Sequence, residues 1–200
     1  MNDLQFPEKI LLSAGTILFF AIMHSVMNCI AKKRNVTRCL KNAIDDKLPF
    51  VPQLVYFYFF TYVFNTVCLF IIIYDQPMKE FLTVIKILIT LIISGSIFYV
   101  IFPAMIIKPR IEKPEGISLK LVALHNNGIL PYNSFPSLHV AFSVITVLLA
   151  FHLNSSLRYL YLVLLFLIAG SALLTKQHYI IDVIAGFILA IILFAIFYSI

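Results

Sequence analysis

The chain has 200 residues, of which 62% are hydrophobic and only 12% are charged, and its net charge is +6 at pH 7. Because about a quarter of the residues in a soluble domain are charged, this composition excludes a protein with a fully water-exposed surface and indicates an integral membrane protein. The length is that of one domain, which we take as residues 1–200.

Apolar segments long enough to cross a bilayer recur along the whole chain. A spanning helix needs about 20 apolar residues for a hydrocarbon core of about 30 Å. Such segments must be helical, because every backbone polar group in lipid has to bond within its own segment. We therefore predict an all-α integral membrane protein, a bundle of six transmembrane helices. The predicted spans are residues 10–31, 54–74, 81–103, 136–153, 157–175 and 178–200.

The connections between these spans place most of the polar residues on one side of the membrane. The loops at residues 32–53, 104–135 and 176–177 emerge on the same side, which we call the motif face. Two polar sequences lie there, one before the fourth span and one at the start of the sixth. Only two residues separate the fifth and sixth spans, so these spans are predicted to form an antiparallel pair.

The sequence HYIID opens the sixth span and contains His178 and Asp182. Residues four apart lie on one face of a helix, one turn from each other. An ionisable residue inside a membrane is costly unless it has a partner. A carboxylate bonded to one imidazole nitrogen leaves the other nitrogen as a nucleophile or base. A purely structural bond that stabilises the helix explains this pair equally well.

The sequence NSFPSLH precedes the fourth span. Pro136 suits the first turn of a helix, and Asn133 and Ser134 are good capping residues ahead of it. The backbone N–H groups of that turn, with the Ser137 hydroxyl, can bind an anion such as phosphate. His139 could donate a proton to a leaving oxygen. Taken alone, a capped helix with an interfacial histidine is the simpler explanation.

Three basic residues, Lys108, Arg110 and Lys176, flank the two sequences on the motif face. Arg and Lys bind phosphate oxygens, although single interfacial cations also simply extend towards water. Phosphoryl transfer needs cations around the phosphate, a nucleophile and a proton donor, and this set provides them. The acids on this face are few and the three cysteines lack metal-binding spacing, so we expect neither a metal nor a cofactor.

The sequence PSLH followed by KQHYIID resembles the second and third signature motifs of the type 2 phosphatidic acid phosphatase (PAP2) superfamily. The general patterns of those motifs are PSGH and SRx5Hx3D. The six-span layout is also similar to that family, and the resemblance covers about residues 98–190. The forms NSFPSLHVA and QHYIIDV are more similar to the branch that includes inositol-phosphoceramide synthases.

The resemblance implies a role for each residue that matches a motif. His178 would attack phosphorus and form a phosphohistidine, Asp182 would orient it, and His139 would protonate the leaving group. Ser137 matches the serine that binds phosphate. The first motif, normally Kx6RP, corresponds to the sequence IIKPR, in which we assign Arg110 and Lys108 to phosphate binding.

The chain departs from the family patterns at three places. Leu138 replaces the glycine of the second motif, and Ala172 stands where the third motif has arginine. The spacing of the first motif is not kept. Our hypothesis is that Lys176 supplies the charge that the missing arginine would carry.

Three further histidines are not predicted to be catalytic, although His125 could approach the substrate. His24 and His152 fall within or at the end of spans, which indicates core or interface positions. His125 lies in the long loop on the motif face, where we expect no catalytic role.

The function implied by the resemblance is a membrane-embedded lipid phosphatase that hydrolyses a lipid phosphate monoester or diphosphate. Its expected partners are the lipid phosphate and the bilayer, and not nucleic acid. One alternative is a lipid headgroup phosphotransferase, which needs a site for an acceptor alcohol. Another is a non-catalytic transporter of anionic lipids, in which the cations only bind. A scaffold with a chance motif match is a third.

The side of the membrane on which the motifs lie is predicted differently by two rules. Eleven of the fifteen Lys and Arg residues fall on the motif face, and the excess of positive charge favours the cytoplasm. The resemblance implies the opposite, an extracytoplasmic site in a bacterial cytoplasmic membrane. We follow the resemblance.

Overall fold

The computed structural model describes residues 6–198, which form eight helices and no β-strand. A predominantly apolar chain folds in this way because helices satisfy their backbone hydrogen bonds internally. The third helix opens with a short 3₁₀ turn and contains a π-helical segment, Phe64–Cys68. The helices are α1 (Phe6–Lys33), α2 (Ala43–Lys47), α3 (Pro52–Tyr74), α4 (Met78–Ile101), α5 (Gly116–Gly128), α6 (Leu138–His152), α7 (Arg158–Leu174) and α8 (Ile180–Tyr198).

The predicted all-helical membrane protein is confirmed, and every predicted span overlaps one helix. Within the described residues, α1, α3, α4 and α8 are long and apolar enough to cross a membrane. The helices α6 and α7 are apolar but have only 15 and 17 residues, less than the length of about 20 that a full span needs. Residues 199–200 of the sixth predicted span lie outside the described residues.

The centre of the bundle is α6. Ten of its fifteen residues are buried, and it packs against α8, α7 and α4. Because neighbouring helices enclose it, α6 can begin below the membrane surface without exposing its first turn to lipid. Its first residues therefore lie inside the bundle, where they can line an enclosed site.

The helices α7 and α8 are not the close neighbours that their short connection predicts. Five residues separate them, and both pack mainly on α6 rather than on each other. Lys176 in this connection has a left-handed backbone with φ of 58°. The N–H groups of Gln177 and His178 both donate to the carbonyl of Ala172, at 2.9 and 3.0 Å. These bonds cap α7 and redirect the chain.

Two short helices, α2 and α5, occur in loops where no helix was predicted. Asn42 caps α2 by accepting from the N–H groups of Ile44 and Asp45, and the Asp45 carboxylate accepts in return from the Asn42 N–H. The other oxygen of Asp45 accepts from the N–H of Ile180, the first residue of α8, at 2.9 Å. The first loop is therefore fastened to the start of α8.

Two glycines allow the start of α6 to lie against α8 and α4. A Cβ added to Gly186 would lie 2.5 Å from the carbonyl oxygen of Ser137, which is backbone and cannot easily move. A Cβ added to Gly95 would meet the end of the Leu138 side chain at 2.6 Å. The Ser137 N–H donates to the Asp182 carbonyl at 2.9 Å. The contact between α6 and α8 is thus a backbone contact.

We predict that Gly186→Ala separates α6 from α8 and destabilises the protein by about 1–3 kcal/mol, the usual cost of overpacking. Thermal unfolding in detergent measures this effect. Gly170→Ala is the matched control, because a Cβ at Gly170 of α7 meets nothing within 4 Å. Equal melting temperatures for the two variants would contradict the prediction.

Candidate active site

A cavity of about 740 Å³ lies on the motif face, between α1, α3, α5 and the starts of α6 and α8. We call it the polar cavity. Its lining includes four histidines and two lysines, and no carboxylate is found among the described residues that line it. Such a lining favours an anionic ligand. These six residues are His24, Lys32, Lys108, His125, His139 and His178.

His178 lies two residues before the first residue of α8, and Asp182 lies in the first turn of that helix. The His178 Nδ1 is 3.6 Å from the Asp182 Oδ2, and Asp182 is completely buried. This distance exceeds that of a hydrogen bond, but such bonds often tighten only when a substrate binds. The Asp182 Oδ2 also accepts from the Tyr179 N–H at 2.9 Å. Asp182 is therefore fixed beneath His178, on the side away from the cavity.

His139 occupies the first turn of α6 and faces His178 across the polar cavity, with 5.9 Å between the ring centroids. Its Nε2 forms a 3.1 Å hydrogen bond with the hydroxyl of Tyr62 in α3. The Nδ2 of Asn65 donates to the His139 carbonyl at 3.4 Å. Asn65 lies in the π-helical segment, a feature that often occurs at functional sites. Thus α3 holds both the ring and the backbone of His139.

Lys108 and His125 lie side by side in the long connection between α4 and α6. Burial lowers the pKa of Lys108 to about 8. Burial and the charge of Lys108 lower the pKa of His125 to about 4, so this imidazole is neutral near pH 7. Both ring nitrogens of His125 lack a hydrogen-bond partner. His24 lines the polar cavity as well, which differs from its predicted core or interface position, whereas His125 was predicted on the motif face and only its lack of a catalytic role stays a prediction.

Three of the residues predicted to bind phosphate do not line the polar cavity. The Ser137 hydroxyl caps α6 by accepting from the Val140 N–H, and Ser137 is completely buried. The Lys176 ammonium donates to the carbonyls of Asp45 and Leu48. The Arg110 side chain is 88% exposed and pairs with Glu112 at 3.6 Å. The structure therefore brings Lys108 into the cavity but leaves the other three predicted residues outside its lining.

Several polar groups of the cavity were not singled out as ligands from the sequence. The Asn133 Nδ2, the Ser134 Oγ and the Gln177 Oε1 are buried and have no hydrogen-bond partner, and all three residues line the polar cavity. Asn133 and Ser134 were predicted only as capping residues. The Asn133 amide and the Ser134 hydroxyl are thus donors without a partner in the cavity wall, and such donors can bind ligand oxygens. No pattern in the sequence indicates that Gln177 or Tyr62 lines the cavity.

The arrangement can perform nucleophilic catalysis at phosphorus. One imidazole lies near a buried carboxylate, a second lies 5.9 Å from it between ring centroids, and a lysine and neutral donors line the same cavity. Within residues 6–198, no three His, Cys, Asp or Glu side chains form a group that could hold a metal ion.

A family model described as PAP2 superfamily matches residues 34–196, which is most of the chain. Comparisons with curated proteins and with solved structures each gave no match. The matched region begins after α1, so it includes His139, His178 and Asp182 but not the α1 wall of the polar cavity.

We predict that the polar cavity binds sulfate, whose charge is constant from pH 7 to 9, about tenfold more weakly at pH 9 than at pH 7. The reason is that Lys108, with a pKa of about 8, loses its positive charge as the pH rises through that value. Isothermal titration of the protein in detergent measures the affinity. Lys108→Arg should remove the pH dependence, since arginine stays charged. The same dependence in that variant would contradict the assignment.

Proposed function

Because the chain belongs to the PAP2 superfamily, we propose that it is a membrane-embedded lipid phosphatase that hydrolyses a lipid phosphate monoester or diphosphate. The family suggests phosphatase-type activity, and the apolar helices place the chain in a membrane. The observation that carries the proposal is the polar cavity, in which His139 and His178 face each other beside Lys108 with no carboxylate in the described lining.

The proposed reaction has two steps. In the first, the Nε2 of His178 attacks phosphorus, the bond from phosphorus to the leaving oxygen breaks, and His139 gives its proton to that oxygen. Asp182 holds the Nδ1 proton of His178 and stabilises the imidazolium. In the second, His139 takes a proton from water as the water oxygen attacks phosphorus. The bond between phosphorus and the Nε2 of His178 breaks, and phosphate is released. The hydroxyl of Tyr62 keeps the ring of His139 oriented through both steps.

The phosphate oxygens would be bound by Lys108 and by the free donors of Asn133 and Ser134. Ser137 would act through its cap on α6, which positions His139. For Arg110 and Lys176 we propose a weaker role, as positive charges that attract an anionic headgroup. The ammonium of Lys176 additionally fixes the first loop.

A lipid headgroup phosphotransferase is a second candidate, favoured by the size of the polar cavity and by a further set of polar groups in its lining. These groups lie on α1, where His24, Asn28 and Lys32 line the cavity. The His24 Nδ1 and the Asn28 Oδ1 lack partners and could bind the hydroxyl groups of an acceptor alcohol. That alcohol would replace water in the second step, as in the branch with inositol-phosphoceramide synthases.

The topology that we propose has six spans, with α6 and α7 as short membrane helices enclosed by the longer ones. Both termini then lie on the side opposite the motif face. We further propose that the motif face is extracytoplasmic, in a bacterial cytoplasmic membrane.

We predict that His178→Ala lowers phosphate release from lipid phosphates by about a thousandfold or more, since the nucleophile is lost. His152→Ala, at the far end of α6, is the matched control. Phosphate release in detergent measures both, and an alkaline denaturing quench captures the phosphoprotein. Wild-type rates in His178→Ala would contradict the mechanism.

The same assay separates the alternative functions. If neither protein releases phosphate but the wild type transfers the headgroup to an added lipid alcohol, the phosphotransferase is favoured. If the wild type only binds the lipid phosphate, a transporter is favoured.

We predict that Asp182→Asn lowers the rate roughly a thousandfold while the fold is kept, because the amide cannot stabilise the imidazolium. Asp46→Asn is the matched control, since Asp46 is an exposed carboxylate of α2 that pairs with Lys41. The melting temperature separates loss of chemistry from loss of fold. Near-normal turnover of Asp182→Asn would remove this carboxylate from the mechanism.

We predict that a reporter fused after residue 200 lies in the cytoplasm. A fluorescent protein at this position should then fluoresce, and alkaline phosphatase should be inactive. Six spans with an extracytoplasmic motif face place the C-terminus on that side. Paired fusions to alkaline phosphatase and to a fluorescent protein measure the location. A C-terminus outside the cytoplasm would contradict the proposed orientation.

A further inference from the structure

The hydroxyl of Tyr179 takes no part in the reaction proposed above, although this residue lies between His178 and Asp182 in the sequence HYIID. Tyr179 is only 5% exposed, so its ring is buried. Its hydroxyl accepts hydrogen bonds from two distant parts of the chain: the Ile107 N–H donates at 3.0 Å and the Cys39 thiol at 3.1 Å. One side chain therefore joins the start of α8 to both long loops of the motif face.

The backbone of Tyr179 is bound within the first turn of α8. Its N–H donates to the Asp182 Oδ2 at 2.9 Å, and its carbonyl accepts from the N–H groups of Asp182 and Val183 at 3.0 and 3.2 Å. His178 is its direct neighbour in the chain. The position of Tyr179 is therefore fixed to the turn that also holds the proposed nucleophile.

The hydroxyl of Tyr179 is bonded to the residue that precedes Lys108. Lys108 lines the polar cavity and is the cation that we propose to bind phosphate. A lysine side chain is flexible, so the reach of its ammonium depends on where its backbone is held. The bond from Ile107 to Tyr179 holds that backbone relative to the start of α8.

The segment that leads to Lys108 is neither helix nor strand, and three consecutive N–H groups fasten it. The Met105 N–H donates to the Arg38 carbonyl at 2.8 Å, and the Ile106 N–H donates to the Pro131 carbonyl at 2.9 Å. The third N–H, that of Ile107, has a side-chain acceptor instead of a carbonyl. A side-chain substitution can therefore remove this third bond and leave the other two in place.

We propose that Tyr179 is a positioning residue that sets the distance between Lys108 and His178. This inference rests on the proposed function and adds to it a residue that acts through two others. Lys108 has to contact the phosphate oxygens while His178 bonds to phosphorus. A misplacement of about 1 Å in such a geometry can cost roughly a hundredfold in rate. The Tyr179 hydroxyl prevents it by linking the two loops through one buried ring.

The first test measures anion binding, which needs no turnover. Tyr179→Phe keeps the ring and removes the hydroxyl. Isothermal titration with sulfate at pH 7 should show about tenfold weaker binding, the effect of impairing one hydrogen bond to a charged group. When Lys108→Ala is already present, Tyr179→Phe should change the affinity by less than about twofold, because the cation that it positions is gone. The same factor in both backgrounds would overturn the proposal.

Two control variants separate this effect from a general loss of packing. Tyr161→Phe alters a buried tyrosine of α7 that is 3% exposed and lies outside the lining of the polar cavity. Cys39→Ala removes the second partner of the Tyr179 hydroxyl and leaves the bond from Ile107. Both should bind sulfate as the wild type does. An equal loss in Cys39→Ala and Tyr179→Phe would overturn the proposal, since the hydroxyl would then act through the first loop.

Hydrogen exchange tests the bond itself in the wild-type protein. The Ile107 amide should be protected in the wild type, and it should exchange faster in Tyr179→Phe at an unchanged melting temperature. Rapid exchange of this amide in the wild type would overturn the proposal even if the variant did not fold.

The second test repeats the double-mutant cycle with phosphate release. Tyr179→Phe should lower kcat about tenfold in the wild-type background and leave it nearly unchanged in Lys108→Ala. Coupling seen in sulfate binding, without phosphate release from any substrate, would support the link between Tyr179 and Lys108 and overturn the phosphatase. Phosphate release that falls by the same factor in both backgrounds would overturn the positioning role alone.

Discussion

The site depends on the backbone contact between the start of α6 and the first turns of α8. The Ser137 N–H donates to the Asp182 carbonyl, and Gly186 leaves room for the Ser137 carbonyl. His139 follows Ser137 by two residues, and His178 precedes the first residue of α8 by two residues. The distance between the two imidazoles is therefore set by main-chain atoms, which move less than side chains do. A site that must hold a nucleophile and a proton donor on opposite sides of one phosphoryl group needs such rigidity.

The buried carboxylates of this region have different surroundings from the cations. Asp45 and Asp182 do not line the polar cavity, and each accepts from a backbone N–H at the start of α8. Carboxylates are stabilised at that end of a helix by its dipole. Lys108 and the histidines face the cavity instead. The carboxylates can thus orient the helix and His178 without repelling an anionic ligand.

The sequence was sufficient to predict features that depend on local spacing. Apolar runs located the four helices long enough to cross a membrane and the two shorter apolar helices. A spacing of four residues indicated that His178 approaches Asp182, although α8 begins two residues after His178. Features that depend on distant parts of the chain were not predictable. Asp45 caps a helix 135 residues later, and Tyr62 reaches His139 across 77 residues. No pattern within a single segment indicates such contacts.

The basic residues illustrate the same limit. Lys108 and Arg110 are separated by one residue and were given the same role. The structure buries part of Lys108 in the cavity and directs Arg110 to solvent, where it pairs with Glu112. Lys176 was placed by its neighbours in sequence, but its backbone is left-handed and its ammonium donates to the carbonyl of Asp45. Side-chain direction in loops follows from backbone turns and tertiary contacts rather than from residue type.

The helix α3 lines two cavities at once. Tyr62 and Asn65 hold the ring and the backbone of His139 in the polar cavity. Most residues from Thr66 to Ile73 of the same helix line a mainly apolar cavity of about 350 Å³ between α1, α3, α4 and α6. The π-helical segment Phe64–Cys68 lies between these two parts. The same helix therefore forms walls of both cavities and orients His139. A change in the position of α3 would alter the apolar cavity and the alignment of His139 together.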